Sequence, residues 1–330
     1  MKVYILYAKE NWITDVLAKE WIENNKEIYT NNLQEASIIW ILSNYIANTI
    51  PTHVYKQKKV ITTIHHIVES KMDYSKKSHF SFLDSITNVF VTNQNICKQI
   101  LKKYISKPIR VVPLWHNENI WFHINNKDIL KKKYDFDNSF WVGSFQRDTE
   151  GVGIKNGIFL PKLEKGPDIF VKSVLALRKK HPHIKVLLTG KRRQYVIQHL
   201  NKNNIQYKYF EMCDFNTLNE LYNCLDLYIV SSRVEGGPRA INECALTKTP
   251  IYSTKVGIYE LLLNKESIFD MNNPETILDC NSNISQSELF GISQSLQISG
   301  VEESIGLTNI KSEVDNIKRE DRSPNVRRIG

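Results

Sequence analysis

Glu235 and Glu243 stand eight residues apart, and Gly236, Gly237 and Pro238 follow directly behind the first of them. Two glycines let backbone amides approach a ligand closely, and a helix opening after Pro238 adds the partial positive charge of its N-terminus. Such a turn suits an oxygen-rich or anionic ligand. With Glu235 at the mouth of the turn and Glu243 about two turns into the helix, the carboxylates lie roughly 10 Å apart by helix rise and can grip two ends of one elongated ligand. The same spacing also fits an ordinary strand-to-helix turn with two solvent-facing glutamates.

Two further places hold residues suited to chemistry. Gly143 opens the run Gly143-Ser144-Phe145-Gln146-Arg147, and Lys162-Leu163-Glu164-Lys165-Gly166-Pro167 precedes a helical pattern. An arginine fork holds phosphate oxygens in a fixed geometry and a lysine supplies a compact charge, so Arg147, Lys162 and Lys165 could serve an anionic ligand, and they fit equally as loop cations in water. His65 and His66 end an apolar run, and adjacent side chains point in different directions, so at most one of them faces a ligand, with His65 the candidate. A strand-end histidine serves equally as a structural hydrogen-bonding residue. No Asp, Glu or Cys stands near these histidines at metal-ligand spacing, and no metal site is expected. There is no P-loop, no G-x-G-x-x-G after the first apolar run and no G-x-S-x-G elbow, which removes support from nucleotide hydrolysis, dinucleotide redox chemistry and serine hydrolysis.

The elements that must position these residues alternate between two periods. Residues 2–7, 36–42, 59–64, 88–92 and 110–112 read as strands in the first half, and 140–142, 185–189, 206–210, 227–230 and 250–253 in the second. Helical patterns fall between them. Ile13, Val16, Leu17 and Trp21 share one face, 95–104 follows a candidate cap at Asn93, and 167–180, 215–223 and 238–246 cover the second half. Continuous apolar strands separated by helices predict parallel sheets covered on both sides. The boundary is read between Trp121 and Asn138, which divides the chain into 1–125, 126–280 and a polar tail, 281–330. In that tail Leu307, Ile310, Val314 and Ile317 keep the spacing of an amphipathic helix.

Composition sets outer bounds. The chain is 42% hydrophobic and 24% charged, without an apolar run long enough to cross a bilayer. Its start reads as a first buried strand and not as a secretory signal. Five scattered cysteines without a C-x-x-C pair predict neither disulfides nor zinc and fit a reducing cytoplasm. Residues 1–135 carry 19 Lys and Arg against 12 Asp and Glu, whereas 136–330 carry 25 against 23. This excess suits peripheral contact with an anionic lipid surface, a phosphorylated acceptor, or plain solvated surface. Lys191-Arg192-Arg193 has no aromatic platform beside it, so nucleic acid is not an expected partner.

Glu235 and Glu243, with Gly-Gly-Pro after the first and Cys244-Ala245 after the second, resemble the E-x7-E motif of retaining glycosyltransferases of family 4 (glycosyltransferases group 1), which adopt the GT-B fold. Residues 249–254 and Gly257-Ile258-Tyr259-Glu260 are similar to that family's following strand and glycine-containing loop. The resemblance spans about residues 1–265 and is most specific in the second half. It implies two Rossmann-like doubly wound domains facing across a cleft, the acceptor on the first and the donor on the second. It also implies a nucleoside diphosphate sugar as co-substrate, a glycan or lipid-linked acceptor, retention of anomeric configuration, and neither metal nor tightly bound cofactor. On the same resemblance Glu235, Gly236, Gly237 and Pro238 hold the donor sugar and Glu243 the ribose. Gly143, Arg147 and Lys165 surround the departing diphosphate, and His65 lies near the sugar. The longer insertion between Arg147 and Lys165 departs from the family pattern, and so does Trp115, which makes the segment from Ile109 to Phe122 architectural. Two other readings fit the same residues: a GT-B nucleotide-sugar epimerase, and a non-catalytic protein that binds glycan or nucleotide.

Overall fold

A computed structural model describes residues 2–10, 13–112, 116–151 and 159–280. They fall into two compact units, one built on residues up to 115 and the other starting at His116. Trp115 and the expected amphipathic helix at Leu307, Ile310, Val314 and Ile317 lie outside the described residues.

In the first unit β1 (Val3–Leu6), β2 (Ile38–Ile41), β3 (Lys59–Thr63), β4 (Val89–Thr92) and β5 (Ile109–Val111) pair in parallel in that order. The strand reading overlooks one short piece. Tyr29 bridges Val3 in parallel, with Val3 N donating to Ile28 O at 2.7 Å and Thr30 N to Val3 O at 3.0 Å. Because Val3 also pairs with Ile38, residues 28–30 lie on the other edge of β1. The chain therefore moves outward from β1 through α1 (Ile13–Asn24) and then returns past β1 to β2. Crossovers of one hand must switch faces when the direction reverses. Accordingly, Leu17, Ala18 and Trp21 of α1 pack with Ile5, Trp40 and Ile61. The helices α2 (Thr52–Lys56), α3 (Tyr74–Ile86) and α4 (Asn95–Leu101) place Tyr55, Leu83 and Cys97 with Ile39, Val60 and Phe90 on the opposite face. The expected cap at Asn93 is not found: Gln94 occupies the N-cap position of α4 and makes no side-chain cap bond.

The second unit starts with α5 (Lys127–Lys133) and β6 (Trp141–Ser144), followed by α6 (Pro167–Leu177) and β7 (Lys185–Thr189). Then come α7 (Gln194–Lys202), β8 (Tyr207–Phe210), α8 (Phe215–Cys224), β9 (Leu227–Val230), α9 (Arg239–Thr247), β10 (Ile251–Ser253) and α10 (Tyr259–Leu262). The parallel order is β10-β9-β6-β7-β8, so the chain runs out from β6 to β8 and then crosses back to β9. Strand side chains alternate between the two layers that result. Val142, Val186 and Ile229 meet α6 and α7, whereas Trp141, Leu187 and Tyr228 meet α8 and α9.

The segment ahead of the expected division after residue 125 packs with this second unit. Phe122 N donates to Asn219 Oδ1 at 3.0 Å and Ile124 N to Asn223 Oδ1 at 2.8 Å, while Trp121 is buried against Phe215 and Tyr222. Polar composition marked the boundary in the sequence, but hydrogen bonds to α8 decide where the chain docks.

Candidate functional site

In an open parallel sheet the ligand crevice lies beyond the carboxyl ends of the strands where strand order reverses. In the second unit that point falls between β6 and β9, which are paired directly. The loops leaving these two strands carry Arg147 and Glu235. Gly143, expected to start the loop, is instead inside β6, because the strand extends to Ser144. A Cβ there would come within 2.2 Å of Leu225 Cδ1, so close packing accounts for this glycine. The loop starts at Phe145, whose amide donates to Tyr228 Oη at 2.9 Å.

Residues from the two loops that leave β6 and β9 converge beyond the strand ends. Lys165 Nζ forms an ion pair with Glu235 Oε1, and both side chains are largely shielded from solvent. Gln146 Nε2 donates to the Lys165 carbonyl at 2.9 Å, and its Oε1 accepts from Ser232 Oγ at 3.1 Å. Ser231 Oγ donates to the same Lys165 carbonyl at 3.2 Å. Arg233 and Val234 amides both reach Glu164 O, and the Arg233 fork holds both oxygens of Asp168 at 2.7 and 2.6 Å. Burial pushes the Asp168 carboxyl up, but that fork brings it below its ordinary range. Gly166 makes the close approach of these loops feasible. It has φ +59°, and a Cβ would lie 1.8 Å from Ser231 O. Gly166→Ala is expected to cost at least about 2 kcal/mol, from the left-handed backbone and the clash together, as measured by urea unfolding.

The insertion between Arg147 and Lys165 closes on its own ends. Thr149 bridges Pro161, Glu150 N donates to Leu160 O at 2.9 Å, and Lys162 N to Asp148 O at 2.8 Å. Lys165 is thereby returned to Gln146, beside Arg147. Lys162 contributes its backbone to this bridge. Arg147 Nε donates to Thr149 O at 3.1 Å, which aligns its guanidinium along the loop.

The loop is anchored from below by the last residue of the basic run Lys191-Arg192-Arg193. Arg193 is fully buried. Its Nε lies 2.6 Å from Asp148 Oδ2, and Nη1 donates to Thr189 O at 2.9 Å and to Ser144 O. One side chain thus ties the ends of β6 and β7 to the start of the cation loop.

Glu243 lies on the buried side of α9 at 8% exposure. Tyr222 Oη donates to its Oε2 at 2.7 Å, and Arg239 Nε stands 3.4 Å from Oε1. Pro238 precedes α9 without a side-chain cap, so first-turn amides are not taken up by a capping side chain. Gly237 has φ +136°, and a Cβ on Gly257 would meet Pro238 Cδ at 2.5 Å and Gly237 Cα at 2.8 Å. The glycine loop after β10 therefore folds onto the turn that carries Glu235.

His65 belongs to the first unit. Its Nε2 donates to Leu42 O at 3.0 Å, just past β2, and burial lowers its pKa, so the ring is neutral with Nδ1 as an acceptor. Among the described residues no group of three His, Cys, Asp or Glu side chains converges as a metal site. No described helix is long and apolar enough to cross a membrane.

Two parallel-sheet α/β domains of this kind define the GT-B fold, and solved structures bear the assignment out. The chain is similar to Anabaena HepE in complex with UDP, with a TM-score of 0.72 at 13% identity over 97% of this chain and 100% of that one. It is similar to sucrose-phosphate synthase from Thermosynechococcus elongatus, with a TM-score of 0.68 at 13% identity over 95% and 81%. A glycosyltransferase from Rickettsia africae ESF-5 gives a TM-score of 0.59 at 19% identity over 97% and 84%. At these identities the likeness is one of fold. Residues 156–284, within the second unit, match the family described as Glycosyl transferases group 1. No curated protein matches the sequence.

Proposed function

We propose that the protein is a glycosyltransferase that moves a sugar from a nucleoside diphosphate sugar to an acceptor hydroxyl of a glycan or lipid-linked acceptor. The observation that carries this reading is the convergence of Lys165, Glu235 and the Gly236-Gly237 turn at the switch point of the second sheet. The family match over the same unit supports it, as do neighbours in complex with UDP and with UDP-glucose.

In this reading the bond between the sugar's anomeric carbon and the diphosphate oxygen breaks while a bond to the acceptor oxygen forms. The acceptor proton passes to the leaving diphosphate. Lys165 and Arg147 stabilise the negative charge that grows on that leaving group, a contribution larger in the transition state than in the ground state. Glu235 and the adjacent amides hold the sugar's hydroxyls, and Glu243 accepts from the ribose diol. Retention and independence of metal follow from the family resemblance. Five free thiols suit a reducing cytoplasm, where the basic first unit can meet a membrane-borne acceptor.

The test is a panel of UDP, GDP and ADP sugars read by thermal stabilisation and by donor turnover with and without candidate acceptors. Stabilisation by one nucleotide and acceptor-dependent turnover are expected. Acceptor-independent conversion would turn the reading into an epimerase, and no stabilisation by any nucleotide would overturn it. Glu243→Ala is expected to weaken nucleotide affinity at least about tenfold, since charged hydrogen bonds contribute roughly 1.5–3 kcal/mol.

A further inference from the structure

Glu243 is held at both carboxylate oxygens. The Tyr222 ring, on α8, is locked against Trp121, Phe145 and Tyr228 at centroid distances of 5.8, 4.7 and 5.2 Å, which aims its hydroxyl at Oε2. Arg239, one turn ahead of Glu243 on α9, addresses Oε1. Its Nη1 is buried with no hydrogen-bond partner among the described residues. Buried donors are nearly always filled, so this nitrogen calls for a partner beyond the described side chains.

We propose that Tyr222 and Arg239 are positioning residues that keep Glu243 ionised and in one orientation, so that it accepts the vicinal hydroxyls of the donor's ribose. The inference rests on the ribose role given to Glu243 above. A diol offers two donors and needs an acceptor, whereas a protonated carboxyl presents a donor of its own.

The charges around Glu243 agree with this role. Burial pushes its carboxyl above the ordinary range, and Arg239 and the Tyr222 hydrogen bond pull it back. The titratable groups facing it are Tyr222 from α8, Tyr228 from β9, and Arg239 and Cys244 from α9. Tyr222, Tyr228 and Cys244 are pushed up by burial and stay neutral, which makes Arg239 the cation of this set. On α10, Tyr259 and Glu260 hydrogen-bond to each other, and His123 contacts the far end of α9 through Thr247 O.

Linkage separates binding from stability. Between the ordinary carboxyl pKa and the raised one, native Glu243 keeps a proton that the unfolded chain has lost, so its contribution to stability declines as pH rises. Nucleotide affinity, which in this proposal needs the ionised form, increases over the same window.

The experiment titrates the full-length wild type with UDP, GDP and ADP, and then Tyr222→Phe, Arg239→Met, Arg239→Lys and Glu243→Ala with the one it binds most tightly, at several pH values from acid to neutral. Tyr222→Phe and Arg239→Met are expected to bind about tenfold or more weakly at neutral pH, with the acid loss of affinity moved toward neutrality. Arg239→Lys is expected to restore most of the affinity and the profile. Wild-type affinity and pH profile in Tyr222→Phe and Arg239→Met, with binding still weakened in Glu243→Ala, would overturn the positioning role and leave the proposed function standing. Failure of the wild type to bind UDP, GDP or ADP would sink the proposed function itself. Should Tyr222→Phe not fold, the contrast between Arg239→Met and Arg239→Lys decides the matter alone.

Discussion

Arg193→Ala is expected to destabilise the protein by about 3–5 kcal/mol, the scale on which a buried ion pair fails when one partner is removed. Arg193 and Asp148 are 0% and 3% exposed, so water cannot replace the lost contact. Removing the guanidinium leaves the Asp148 carboxylate without its cation and the Thr189 and Ser144 carbonyls without a donor. For a unit of this size the thermal midpoint is expected to drop by on the order of 10 °C. Arg193→Lys restores charge but not the fork, and should recover less than half of the loss. Replacing both partners, as Arg193→Met with Asp148→Leu, should recover more, though not all, because the two carbonyls still lack a donor. Differential scanning calorimetry of the four proteins checks the series, and a midpoint unchanged in Arg193→Ala would show that the pair does not hold the loop. Since Asp148 follows Arg147, the alanine variant should also weaken nucleotide binding.

Lys165→Met is expected to lower kcat by about 10²–10³-fold with only a small change in thermal midpoint. The magnitude is that of removing one preorganised group from a developing negative charge. Lys165 is 26% exposed and its ion pair is partly screened, so its loss should disturb the reaction much more than the fold. An interaction made mainly in the transition state lowers kcat and kcat/KM together, whereas loss of simple donor binding would raise KM. Glu235, 14% exposed, also loses its cation in this variant, so the sugar-holding role proposed for it should weaken as well. Arg147→Ala should fall in the same direction. Wild-type turnover in both variants would remove the diphosphate role from these cations.

The motif residues were legible in sequence because their signals are local. Glu235, Gly236, Gly237, Pro238 and Glu243 declare a strand-to-helix turn through neighbours in the chain, and β7 and β9 fall where the apolar runs place them. Gly143 shows the limit of such signals: a glycine near a strand end suggested a ligand loop, but the reason for it is the Leu225 side chain, far along the chain. Residues 28–30 were invisible as a strand because a bridge of so few residues has no period to detect.

The sequence by itself determined the alternation of strands and helices and the turn that carries Glu235 and Glu243, since hydrophobic period and glycine conformation act over a few residues. Tertiary structure alone decided which charges meet. It brought Lys165 to Glu235, set Tyr222 and Arg239 on Glu243, and buried Arg193, the last of three consecutive basic residues, against Asp148. The physical reason is that solvation and pairing of a charge depend on what the rest of the chain packs around it, and the residues beside it in sequence do not carry that information.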